Sequence, residues 1–256
     1  MPLDATGHFM LALVTAAALA LLLRVVVWAV LRAWLASGRR GPGLLALAAL
    51  CTAVSFGGLT AVVLKGGGAT GFDAAASAFL APYRAPWLVH VFLWLTTLGT
   101  DAALAGVAAT ATGFLWAYRR GGLALPLWVT FAGAQASTWI AKHAIGRVRP
   151  VFLDGLATAA SPSFPSAHAS GAAATLGFVA YALARDLDPR RRREVAYWTA
   201  LLVALVGFSR IFLGVHFATD VVGGFLGGGF WLLIGVALAE WPRRRLSRVG
   251  EAPPAR

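Results

Sequence analysis

Acidic residues are scarce in this chain. Ten Asp and Glu stand against twenty-two Lys and Arg, and all charged side chains together make up 12% of 256 residues. A soluble domain of that length needs a larger charged surface, so a soluble globular fold is excluded. Lysine is rarer still, confined to Lys65 and Lys142. The single cysteine, Cys51, sits inside an apolar run; it excludes an intramolecular disulfide and any cysteine-based metal site, and reads as a small apolar residue, buried or facing lipid. No Lys or Arg precedes the first apolar run, unlike the start of a cleaved signal peptide, so that run is expected to be retained.

What the chain has instead is apolar length. Hydrophobic residues make up 59% of it, in seven runs: residues 9–35, 44–64, 87–118, 123–145, 167–184, 197–215 and 221–238. Runs near or above 18 residues are the signature of membrane-spanning helices. The third is longer than one span requires, and Gly99 is the expected break or kink. Residues 72–80 fit a short interfacial helix. The stretch 146–165 is not membrane-like, residues 185–194 form a very basic loop, and the chain from Trp241 is a basic tail that ends in a Pro-containing, flexible stretch. Gly223, Gly224, Gly227 and Gly228 have the small-x3-small spacing of closely packed helices.

A net charge of +12 raises nucleic acid as a partner, but the distribution of arginine argues against it. Placing the tail in the cytoplasm puts Arg39 and Arg40, Arg119 and Arg120, five Arg in 185–193 and five in the tail on the inside. Only Lys65, Arg84, Lys142, Arg147, Arg149 and Arg210 fall outside. That bias orients the protein with an outside N-terminus. It also leaves outer cations that topology does not call for.

Three of them belong to a set of three clusters: Lys142-x6-Arg149-Pro150, Pro165-Ser166-Ala167-His168, and Ser209-Arg210-x5-His216-x3-Asp220. In this topology all three lie at outer helix ends. Lys142 and Arg149 are about two helical turns apart and would share one side of a helix. With Arg210 they form a set of cations suited to a phosphoryl group, which carries about two negative charges near neutral pH. Ser166 precedes the start of the fifth helix, where free N–H groups favour an anion. His216 and Asp220 are one helical turn apart, so the carboxylate can fix one imidazole nitrogen and leave the other as a nucleophile. His168 is then available as the acid that protonates a leaving alkoxide and the base that activates water. No metal or other cofactor is required by this chemistry.

In order and spacing, the three clusters resemble the signature of the type 2 phosphatidic acid phosphatase superfamily, in its membrane lipid phosphatase branch. The likeness runs from Lys142 to Asp220. It implies His216 as nucleophile, Asp220 as its partner and His168 as acid. Phosphate would be held by Lys142, Arg149, Arg210, Ser166 and the backbone at Ala167, where the family usually has Gly. The implied fold is an all-α polytopic transmembrane bundle, a six-helix phosphatase core with one extra N-terminal helix. The implied organisation is residues 1–42 as that helix and a basic loop, 43–240 as the phosphatase domain, and 241–256 as a basic cytoplasmic tail.

The expected partners are a lipid phosphate substrate and the surrounding membrane lipids, in the inner membrane, with the site facing the periplasm. The resemblance implies phosphatidate, phosphatidylglycerol phosphate or a polyprenyl diphosphate as substrate. A phosphotransferase using the same histidine and a non-enzymatic lipid transporter remain as rivals. Arg147 stands between substrate phosphate and lipid headgroups. Asp101 stands between pairing with a buried donor such as Arg24 and capping a helix after Gly99. His90 and His143 stay outside the site.

Overall fold

The computed structural model describes residues 41–66, 70–150 and 161–250, with isolated positions at 21, 24 and 25. Most of the first apolar run and half of the stretch 146–165 thus lie outside the described residues. Among those described there are eight α-helices and no strand: α1 (Gly41–Lys65), α2 (Gly71–Leu80), α3 (Pro86–Thr97), α4 (Asp101–Ala117), α5 (Ala124–Ile145), α6 (Ala167–Ala184), α7 (Pro189–Phe212) and α8 (Ala218–Gly250). The fold is all-α, as the sequence implies.

Among the described residues four helical stretches are long and apolar enough to cross a membrane: Gly43–Lys65, Ala167–Ala184, Pro189–Phe212 and Ala218–Trp241. A fifth arises if α3 and α4 count as one span, bent by 46° at their junction. The protein is a multi-pass membrane protein. The difference from seven apolar runs has physical causes. All but three residues of the first run are outside the described residues. The third is the bent pair, broken at residues 98–100 around Gly99. The fourth forms α5, about 33 Å long at 1.5 Å per residue, but its polar side chains lower its hydropathy. Several of these turn toward neighbouring helices: Thr138 Oγ1 donates to Ser170 Oγ of α6 at 3.0 Å, and Trp231 Nε1 of α8 donates to Ser137 Oγ at 2.9 Å.

α6 and α8 are the axis of the bundle. α6 packs against α4, α5, α7 and α8, and α8 also covers α1 and α5. Small residues permit this approach: Ala169, Ser170, Gly171, Ala172 and Ala174 of α6 are all buried. Across from them, a Cβ on Gly224 would lie 2.6 Å from the Ser166 carbonyl oxygen, and one on Gly228 would collide with the Ser170 carbonyl. Gly228→Ala is therefore expected to destabilise the fold by about 1–3 kcal/mol, the usual range for overpacking, because a backbone carbonyl cannot rotate away. Thermal unfolding in detergent measures it; an unchanged midpoint would show that α6 and α8 are not held at this distance.

Three local readings need correction. The basic loop 185–194 is half helix: Asp188 caps α7, its carboxylate accepting from the N–H groups of Arg190 and Arg191, and Pro189 fits the first turn. The helix of the seventh run does not stop near Leu238: α8 continues through the basic residues to Gly250, and the Pro-containing end expected to be flexible lies outside the described residues. Arg24 pairs with Glu194 at 2.7 Å, not with Asp101. Asp101 opens α4 behind the N-cap Thr100 and accepts a hydrogen bond from Gln135. Cys51 is exposed on α1.

Candidate active site

The three clusters meet at one end of the bundle, each brought there by how its helix starts or stops. α5 ends at Ile145 because Gly146 adopts a left-handed conformation, φ 66°, which an L side chain rarely takes. Lys142 stays in the last turn, and Arg147 and Arg149 leave the helix. The expectation that Lys142 and Arg149 share one helix face therefore fails, yet the turn returns Arg149 close enough for its charge to act on Lys142. Gly214, φ 67°, likewise turns the chain after α7 so that residues 215–217 lead into α8.

His216 lies in that turn, before α8 begins, and is 3% exposed. It meets Asp220 across the helix start rather than along a helical turn. Nδ1 stands 3.3 Å from Asp220 Oδ2 and 3.4 Å from Ser163 Oγ. On the other side, Arg149 Nη1 donates to Nε2 at 3.2 Å, while its Nε donates to the Ser161 carbonyl at 2.8 Å. An N–H directed at Nε2 assigns the lone pair to Nε2 and the proton to Nδ1, facing the carboxylate. Burial pushes the ring down to about 3; the hydrogen bond and charge of Asp220 oppose the fall, while Arg149 and Arg210 add to it. The imidazole is thus neutral at physiological pH.

Lys142 Nζ donates to the carbonyls of Pro162 at 2.6 Å and Ser163 at 3.3 Å. Arg210, in the last turn of α7, donates from Nη1 to Thr96 Oγ1 at 2.7 Å. Among the described residues its Nε, which is buried, has no hydrogen-bond partner, and neither has Ser166 Oγ. Such atoms occur elsewhere among the described residues, as at Thr175 Oγ1, but these two belong to the clusters, where a bound anion would satisfy them. Ser166 is the N-cap of α6 but makes no side-chain cap bond; Ala167 and His168 are the first two residues of that helix. His168 is half-buried, within electrostatic reach of Arg210, His216, Arg149 and Lys142. A Cβ on Gly99 would lie 3.1 Å from its ring, so the α3–α4 break makes room for it. Every residue singled out for phosphate chemistry thus lies at this end. His90 and His143 do not join it: both are exposed and bond to carbonyls one turn earlier, Pro86 and Trp139.

Arg147 settles in neither of its two expected places. It is buried between two carboxylates, 2.6 Å from Asp220 Oδ1 and 2.8 Å from Asp73 Oδ2. Asp73, in α2, is fully buried and also accepts from the Thr219 N–H at 2.9 Å. Burial disfavours its charge, but Thr219, Arg147 and the Thr70 N–H outweigh that and hold the carboxyl below the ordinary range. Sequence reasoning missed Asp73, Ser163 and Thr219. The one local signal was the capping box Thr70-x-x-Asp73, which marks a helix start but not its partner 146 residues away.

The chain is 34% identical over 155 residues to phosphatidylglycerophosphatase B of Bacillus subtilis (strain 168), an alignment spanning 60% of this chain and 76% of that protein. A PAP2 superfamily model matches residues 123–244. The chain belongs to the PAP2 superfamily. It is also 35% identical over 115 residues to lipid A 1-phosphatase of Rhizobium etli, of which it spans 45%. The crystal structure of a transmembrane PAP2 type phosphatidylglycerolphosphate phosphatase from Bacillus subtilis superposes with a TM-score of 0.69 at 30% identity, covering 75% of this chain and 96% of that one. The PAP2 match runs from the start of α5 into α8 and so contains all three clusters, while Asp73 lies outside it.

Proposed function

We propose that this chain hydrolyses the phosphate of a membrane lipid through a phosphohistidine on His216. Membership of the PAP2 superfamily makes it a phosphoric ester hydrolase, and relatives named for phosphatidylglycerophosphate and lipid A phosphate support a lipid substrate. The observation that carries the reading is His216 itself: a buried neutral imidazole, backed by Asp220 on Nδ1, with Nε2 turned toward the cation Arg149.

In the first step Nε2 attacks phosphorus, the bond to the lipid oxygen breaks, and His168 supplies the proton that oxygen needs. Lys142, Arg149, Arg210, Ser166 Oγ and the N–H groups opening α6, including that of Ala167, hold the equatorial oxygens. In the second step His168 takes a proton from water as the water oxygen bonds to phosphorus, the P–N bond breaks with its electron pair returning to Nε2, and orthophosphate leaves. No step calls on a cofactor. The site faces the extracytoplasmic side of the inner membrane, because the clusters Arg119–Arg120 and Arg190–Arg193 lie at the opposite helix ends.

Release of phosphate from phosphatidate, phosphatidylglycerol phosphate and polyprenyl diphosphates by purified protein tests the reading. Turnover of at least one of them, inhibited by vanadate and unaffected by EDTA, is the expected result. Sealed right-side-out vesicles should hydrolyse a membrane-impermeant short-chain substrate without detergent. Strict dependence on an acceptor alcohol would replace the hydrolase with a phosphotransferase, and no turnover of any lipid would remove it.

A further inference from the structure

Arg147 and Asp73 are buried as deeply as the catalytic pair, and they bond to Asp220 and to the residue before it. Both carboxylates joined by Arg147 are fully buried, and the guanidinium stacks on Phe217 at 4.4 Å. Burying charges is costly unless each is paired and hydrogen-bonded, so a cluster of two carboxylates and one guanidinium persists only where its geometry is tightly held. Its arrangement is specific. Arg147 takes Oδ1 of Asp220, the oxygen turned away from the imidazole. Oδ2, the oxygen facing His216, is fixed by Ser163 Oγ and the Phe217 N–H. The carboxylate is thus held at both ends in the plane it presents to Nδ1.

Asp73 completes the set. Alone, Arg147 would draw electron density from Asp220 and weaken its hold on the imidazole proton. A second carboxylate on Nη2 divides that pull. Asp73 further accepts from the backbone and the hydroxyl of Thr219, the residue before Asp220, so the start of α8 is anchored to α2. We infer that Asp73 and Arg147 are positioning residues for the reaction, acting on His216 through Asp220. The inference rests on the reading of His216 as the nucleophile.

A double-mutant cycle tests it on full-length protein in detergent, following a lipid phosphate that the screen identifies and covalent phosphate on the enzyme. Asp73→Asn keeps the shape of the carboxyl group and removes its charge. It is expected to lower kcat about tenfold to a hundredfold, the usual range when a group orienting an active-site ligand is lost, with KM within about threefold. Arg147→Lys, which cannot bridge both carboxylates, should do the same.

In an Asp220→Asn background neither change should cost more than about twofold, because groups acting as a unit are not additive. The Leu80→Ala variant, which loosens the packing of α2 through a buried apolar side chain that bonds to neither Asp73 nor Arg147, should retain kcat and so controls for general loosening. Full additivity in the cycle, or a loss confined to KM, would overturn the inference. If His216→Ala retained turnover, the nucleophile reading would fail instead, which keeps the two failures distinct.

Discussion

His216→Ala is expected to lower turnover on the order of 10⁴-fold or more and to abolish any acid-labile covalent phosphate on the protein. A nucleophile that splits a displacement into two steps leaves no partial pathway when it is removed, and loss of such a group alone costs most of the catalytic advantage. The fold should survive. Asp220 would keep Ser163, the Phe217 N–H and Arg147, so no carboxylate is left unpaired. Arg149 would keep the carbonyls of Ser161 and Val215. Substrate binding should change little, since the cations that hold phosphate remain.

The pH profile carries a second signature. With its protonation pushed down to about 3, the wild-type ring is neutral throughout the physiological range, so it contributes no acid limb to kcat above about pH 4. Phosphate release, gel filtration and trapping with labelled substrate read all of this. A folded variant with a tenth of wild-type turnover would remove His216 from the chemistry.

How far the sequence could be read follows from where each contact is encoded. Apolar length revealed the all-α membrane fold, because a bilayer imposes a span that few soluble helices show. The outer cations were legible because they ran against the topology rule; chemistry was the remaining reason for them. Gly99 marked a break that the bent α3–α4 pair displays.

Spacing alone misled where a terminator intervened. Seven residues between Lys142 and Arg149 suggested a helix face, but Gly146 ends the helix between them. Four residues between His216 and Asp220 suggested a helical turn; the two meet across the start of α8. In both pairs the residues still converge, by a different geometry. The Asp73–Arg147–Thr219 contacts were not legible at all. They join segments about 72 and 146 residues apart, and nothing near Arg147 in the sequence distinguishes a buried ion pair from a cation facing phosphate or headgroups.

His168→Ala should separate the two chemical steps rather than merely slow both. The residue sits where α6 begins, half-buried beside the α3–α4 break, and among the described residues its ring nitrogens have no hydrogen-bond partner. A group so placed is free to serve first the leaving oxygen and then water. An alkoxide leaves poorly without a proton, so hydrolysis of a lipid phosphate should fall about 10²- to 10⁴-fold, the range for loss of a positioned acid. An aryl phosphate needs no such help, because a phenolate leaves unaided. Its first step should persist in the variant while the second, which needs a base for water, stalls. The expected record is a burst of phenolate near one equivalent, with covalent phosphate accumulating on the enzyme. An equal loss on both substrates without that accumulation would show that His168 holds substrate but moves no proton.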